Sequence, residues 1–129
     1  MSMPGTNSEQ VTYWNEVGGP KWVRYQEMLD RQLDAIGRQV MDAARVADGE
    51  TVLDVGCGCG TTSLELAERV GKHGSVMGVD ISRPMLQWAR ERAAKGKVTN
   101  VTFTHADAQI YKFRPEFDLL YSRFGVMFF

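Results

Sequence analysis

Cysteine is scarce: Cys57 and Cys59 are the two thiols in 129 residues, and one intervening residue leaves no room for an ordinary disulfide. Two thiols also fall short of the four ligands of a structural zinc site, so no metal is expected. Histidine is as sparse, with His73 and His105 alone. Excess charge of one sign is missing too: 15 Lys and Arg against 16 Asp and Glu leave a formal charge of −1. That balance gives no electrostatic footprint for nucleic acid or an anionic membrane surface. Long apolar runs are absent. The most apolar stretch, 117–129, is interrupted by Asp118 and Arg123 and is too short to span a bilayer. The N-terminus has neither a basic segment nor an apolar one after it, so no signal peptide is read and a cytoplasmic location is expected. What is present is ordinary globular material, 43% hydrophobic and 24% charged, of a length that allows one domain.

Residues 1–19 are polar apart from Tyr13 and Trp14 and end in Gly18-Gly19-Pro20, which reads as a loosely held arm anchored by the two aromatics. Residues 20–129 form the expected domain, with a helical lead-in at 20–47 and a core at 50–129. In the lead-in, Trp22, Tyr25, Leu29, Leu33, Ile36, Val40 and Ala44 recur at helical spacing, and Gly37 is a candidate break between two shorter helices. The period changes after Asp48-Gly49. A β-branched run at 51–55 ends in Gly56-Cys57-Gly58-Cys59-Gly60, and a helical pattern follows. A second strand, 75–80, leads to Ser82 as a helix cap, Pro84 in the first turn, and a helix closed by Gly96. Strands are expected at 101–104 and 117–121 as well. Strands alternating with helices imply an α/β parallel sheet with helices on its faces, and a ligand site beyond the carboxyl ends of the strands. Asp80, Asp107 and Ser122 stand at those ends.

Glycines after a first strand let backbone approach a ligand and open a helix whose free N–H groups favour an anion. A dinucleotide fingerprint G-x-G-x-x-G starting at Gly56 requires glycine at 61, where threonine stands, and no phosphate-binding P-loop occurs. The observed order is Asp54-x-Gly56-x-Gly58-x-Gly60. With Asp80 at the end of the second strand, Asp107-Ala108 after the third and Ser122-Arg123-Phe124-Gly125 after the fourth, the chain resembles class I S-adenosylmethionine-dependent methyltransferases of the ubiquinone/menaquinone-biosynthesis type.

The resemblance implies a Rossmann-like fold and S-adenosyl-L-methionine as cofactor. It makes Gly56, Cys57, Gly58, Cys59 and Gly60 a cofactor-binding loop, with Asp54 engaging the cofactor's ammonium, directly or through water, and the helix start at Thr61-Thr62 facing its carboxylate. Asp80 would take the ribose hydroxyls, Ile81 and Met85 the adenine faces, Asp107 and Ala108 the adenine edge. Ser122 would approach the methionine end, and Tyr13-Trp14 would close over the site. The acceptor is expected to be a small molecule, with no nucleic acid and no membrane span. Its identity, the oligomeric state and a catalytic base are not legible. Two further readings stand beside this one: a nicotinamide-type oxidoreductase domain, and a non-catalytic S-adenosylmethionine-binding module. Asp107 alone also reads as a turn cap. His105 and His73 read as structural or exposed, and Lys95, Lys97, Arg90 and Arg92 as a solvated helix end.

The resemblance carries a sheet of seven strands ordered 3-2-1-4-5-7-6, of which four are found. Strand four would then be an open edge, and Phe124, Val126, Met127, Phe128 and Phe129 would lack packing partners. The chain therefore reads as the N-terminal cofactor-binding part of a longer enzyme, expected to bind the cofactor weakly or not at all by itself.

Overall fold

A computed structural model describes residues 7–114 and 116–129. Four parallel strands form one sheet, β1 (Thr51–Val55), β2 (Ser75–Asp80), β3 (Val101–His105) and β4 (Leu119–Tyr121), in the order β3-β2-β1-β4. That order is the first half of the expected sequence of strands. The register sets Val55 level with Val79 and Asp80 level with His105, so the carboxyl ends of β1, β2 and β3 share one rim. The order reverses between β1 and β4, and the crevice of such a sheet opens at this reversal.

Side chains alternate across the sheet. From β1, Val52 joins Val76, Leu66, Val70, Met41 and Tyr121 in one buried cluster, while Leu53 and Val55 join Val79 on the opposite face. Helices α4 (Thr61–Val70) and α5 (Arg83–Lys95) lie on the first face: Ser63 and Phe103 crowd Gly78, and Ala89 meets Gly60. The second face is covered by Phe113, Phe117, Ala106 and Ala108 from the segment after β3. Ser82 caps α5 by accepting from Met85 N, with Pro84 in the first turn and Gly96 at the end, as its sequence predicts. β4 is shorter than the expected 117–121. It lies at the sheet edge with Leu120 62% exposed, and Phe124, Val126, Met127 and Phe129 are exposed as expected, whereas Phe128, also exposed, does find a partner in Trp14.

The N-terminal expectation fails in two respects. Residues 8–19 are not a loose arm: α1 (Ser8–Glu16) is helical, and α2 (Gly18–Arg24) begins before Pro20. The polar side chains that suggested a loop are docking groups. Asn15 donates to Ile81 O at 2.8 Å and accepts from Arg83 N at 2.9 Å, and Ser82 Oγ donates to Trp14 O at 2.7 Å. Gly19 is a point of close approach rather than a breaker, since a Cβ there would lie 2.0 Å from Trp14 O. Residues 1–6 of that arm lie outside the described residues. In addition, α3 (Gln26–Ala43) runs unbroken through Gly37, and the interruption falls at Tyr25. Gly37 is buried where Tyr121 reaches α3, its hydroxyl donating to Gly37 O at 3.1 Å.

Tyr121→Phe removes that hydrogen bond from a buried site. It is expected to lower stability by about 1 kcal/mol in denaturant unfolding, with the far-ultraviolet spectrum unchanged.

Candidate cofactor site

The loop between β1 and α4 is shaped by three alternating glycines, all in the left-handed region: Gly56 at φ 74°, Gly58 at 55° and Gly60 at 88°. L residues rarely adopt that backbone. Space forbids a side chain as well, because a Cβ on Gly56 would lie 2.6 Å from Gly125 Cα, which follows β4. Cys57 and Cys59 occupy the intervening positions, both buried and neither in a disulfide. Burial raises the Cys57 thiol and pushes Cys59 up to about 12. Burial thus favours the protonated thiol at both positions. Among the described residues no group of three or more His, Cys, Asp or Glu side chains is placed to hold a metal ion.

Asp80 ties the loop to the next strand. Its Oδ2 accepts from Gly58 N at 2.8 Å and its Oδ1 from Ser82 N at 2.9 Å. Burial pushes the Asp80 carboxyl above the usual range, and these N–H groups oppose the shift by favouring the charged form. Each carboxylate oxygen keeps a further lone pair for a ligand. Asp107 closes an Asx turn through Gln109 N at 3.0 Å and also accepts from Asn7 Nδ2 at 3.1 Å, so it does cap a turn while facing the cleft.

One cavity gathers most of the expected residues: Gly56, Cys57, Gly58, Cys59, Asp80, Ile81, Met85, Asp107 and Ala108 line it. Thr61 and Thr62, at the start of α4, line it too. Four expected residues stand outside the lining, Tyr13 among them, nearly half exposed while Trp14 beside it faces the cavity. Gly60 is turned against Ala89 and Phe103. Ser122 spends its hydroxyl on backbone, donating to Val55 O at 2.8 Å and accepting from Val126 N at 3.3 Å, which fixes the turn after β4. Asp54 is fully buried behind Thr62, its Oδ2 accepting from Thr62 Oγ1 at 2.6 Å and Ser63 Oγ at 2.7 Å. His105 is exposed beside Ile81 O at 3.0 Å, and neither it nor His73 lines the cavity.

The remaining wall comes from the N-terminal helices. Asn7, Gln10 and Trp14 face the cavity from α1 and its cap; Trp22, Gln26, Asp30 and Leu33 face it from α2 and α3. Trp14 rests edge-on against Phe128, with ring centroids 5.2 Å apart. Arg123, Phe124, Gly125, Phe128 and Phe129 complete the rim. Asn7, Gln10, Gln26, Asp30 and Arg123 were missed as site residues. The apolar stripe is split: Trp22 and Leu33 line the cavity, whereas Tyr25, Ile36 and Val40 are about half exposed. The informative spacing was 7, 10, 14 and 22, 26, 30, 33, a helical face mixing amides and indoles.

The residues fit an S-adenosyl ligand on observations internal to the chain. The loop is shaped by three positive-φ glycines, of which Gly56 and Gly60 have no room for a Cβ, Asp80 faces the cavity with lone pairs to spare, and Asp54 Oδ1 is a buried oxygen without a partner among the described residues. Burial raises Asp54 from 3.8 to about 6, opposed by the Thr62 and Ser63 hydroxyls. The native state therefore holds this proton more tightly than the unfolded chain. Its contribution to stability is fully present below about pH 4 and is lost as pH rises through about 6, an effect of about 2–3 kcal/mol. The stability difference between the unsubstituted chain and Asp54→Asn is expected to fall by that amount from pH 4 to pH 7 in denaturant melts.

Similarity to known proteins agrees with this geometry. The family described as "Methyltransferase domain" matches residues 47–126. Aklanonic acid methyltransferase DauC of Streptomyces sp. (strain C5) is 36% identical over 94 residues, 72% of this chain and 43% of that protein. A demethylmenaquinone methyltransferase of Listeria monocytogenes serotype 4a (strain HCC23) is 32% identical over 126 residues, 96% of this chain and 53% of that protein. A crystal structure of a SAM-dependent methyltransferase from Aquifex aeolicus superposes with TM-score 0.61 and 26% identity, covering 67% of this chain and 46% of that one. The chain thus spans about half the length of the curated relatives it matches. Its strand order, its glycine loop and the family match over residues 47–126 together make it a member of the methyltransferase-domain family.

Proposed function

We propose that these residues form the S-adenosylmethionine-holding half of a methyltransferase that acts on a small-molecule acceptor. The observation that carries the reading is Asp80: a carboxylate on the cavity wall, fixed through Gly58 N–H and Ser82 N–H, at the strand end beside the glycine loop. In such a site the two carboxylate oxygens accept from vicinal ribose hydroxyls. Ile81 and Met85 supply apolar contact to the base, and Asp107 with Ala108 reads its edge. The start of α4 at Thr61 and Thr62 offers unpaired N–H groups to an anionic end. Trp14, Trp22 and Phe128 wall the cleft and exclude water. When bound, the cofactor supplies the electrophilic sulfonium methyl group. The protein's part is alignment of two reactants, worth up to about 7–11 kcal/mol in near-attack geometry.

A small-molecule acceptor is supported by the names of the relatives, which specify aklanonic acid and demethylmenaquinone. No helix among the described residues is long and apolar enough to cross a membrane. Against the nicotinamide alternative, the relatives named above are methyltransferases, and Thr61 denies it the third glycine of its fingerprint.

The cavity is already walled within this chain, so of the two expectations, weak binding or none, it favours weak binding: calorimetric titration is expected to show binding of S-adenosylhomocysteine and none of NADH. Asp80→Ala is expected to weaken that binding by about 10- to 100-fold. Binding of NADH alone would overturn the reading.

A further inference from the structure

Near the start of α4 two opposite charges are left incompletely answered. Asp54 is fully buried; its Oδ2 takes both hydroxyls, and Oδ1 has no partner among the described residues. Arg123 lines the cavity with its side chain only 12% exposed. The carboxylate oxygens nearest its guanidinium are Asp30 at 3.7 Å and Asp34 at 3.9 Å, both beyond hydrogen-bond reach. Among the described residues the guanidinium makes no hydrogen bond, although it carries five N–H donors.

Arg123 is also the one cation in a lining whose other charged groups are the carboxylates of Asp30, Asp80 and Asp107. Asp54 is level with Tyr121 in the β1–β4 register, and Arg123 follows two residues later, so the two lie at the same end of the cleft, where Thr62 both lines the cavity and donates to Asp54. An α-amino acid group answers both deficits at once, with its ammonium toward Asp54 and its carboxylate toward a guanidinium. A planar guanidinium matches a carboxylate through two parallel N–H bonds.

We propose that Arg123 binds the α-carboxylate at the amino-acid end of the cofactor, and that Asp30 and Asp34 of α3 hold the guanidinium in position for it. The proposal rests on the cofactor reading above and assigns a residue after β4 a role that the α4 start alone had been expected to fill. Asp30 can share Arg123 without being stranded, because Thr61 Oγ1 donates to it at 2.7 Å and Arg92 lies at 3.8 Å. The alternative role for Arg123 is a staple between α3 and the sheet, which affects folding and is blind to the ligand's carboxylate.

The test is calorimetry with three probes: S-adenosylhomocysteine, its decarboxylated analogue that keeps the amine, and 5′-methylthioadenosine, which has neither group. The unsubstituted chain is expected to bind S-adenosylhomocysteine about 10- to 100-fold more tightly than the decarboxylated analogue. Arg123→Gln is expected to lose that preference while binding the decarboxylated analogue within about twofold of the unsubstituted chain, and Arg123→Lys to keep part of it. An unchanged ratio in Arg123→Gln, or equal weakening of all three probes, would overturn the assignment and leave the staple. Should Arg123→Gln fail to fold, the ratio in the unsubstituted chain and in Arg123→Lys decides: equal binding of the two amine-bearing probes by the unsubstituted chain, or a preference undiminished in Arg123→Lys, overturns it. Absence of binding by both S-adenosylhomocysteine and 5′-methylthioadenosine would overturn the cofactor reading and this assignment together. Binding of 5′-methylthioadenosine alone would overturn only the assignment.

Discussion

A single carboxylate joins the parts of the site. Asp80 ends β2, receives Gly58 N–H from the loop after β1 and Ser82 N–H from the cap of α5, and faces the cavity between them. Two strands and a helix are thereby held in one relation. The parallel register brings Val55 and Val79 level, so the loop and the carboxylate leave the sheet at the same height. Three positive-φ glycines let the loop turn back close enough for the bond to form. Ser82 belongs to both halves of this arrangement, because it caps α5 and its hydroxyl also holds α1 through Trp14 O.

The N-terminal helices depend on the same anchor. Asn15 brackets the turn at Ile81 and Arg83 with both ends of its amide, so α1 is docked on the segment that positions Asp80. From there α2 and α3 lay Trp22, Gln26 and Asp30 along the cavity. Asp30 then links to Thr61, Arg92 and Arg123, which come from the start of α4, from α5 and from the segment after β4. Roof and floor of the cleft are therefore connected by hydrogen bonds and ion pairs at both ends, with indoles between. Such contacts contribute modestly one by one, but those that are largely desolvated are costly to break singly.

The parallel core was legible because its signals are local. β1 and β2 coincide with their expected bounds, as do the Ser82 cap and the Gly96 stop, since each follows from a change of period or from one capping residue. The strand-end acids and the alternating glycines were legible for a related reason: their spacing is fixed by the pleat and by turns. The N-terminal layer was not legible, because its order is imposed from outside. Gly18 and Gly19 read as a turn but are buried where α2 packs on Trp14 and Ser82. Ser122 stood at the right strand end, yet whether a hydroxyl faces a ligand or a carbonyl is a matter of one rotamer. Arg123 read as an interruption of an apolar run and as part of the motif after the fourth strand, with no role of its own. Its role depends on Asp30 and Asp34, some ninety residues earlier, a relation that no local pattern reports.

The central claim is that the loop–carboxylate junction is where the adenosyl cofactor is held. Backbone amide resonances of Gly58 and Ser82, both bonded to Asp80, report on it directly in a titration with S-adenosylhomocysteine. The account predicts saturable shifts of these two amides and of Thr61, with the exposed α3 face around Ile36 and Val40 unaffected. Shifts confined to that face, or none at saturating ligand, would contradict it.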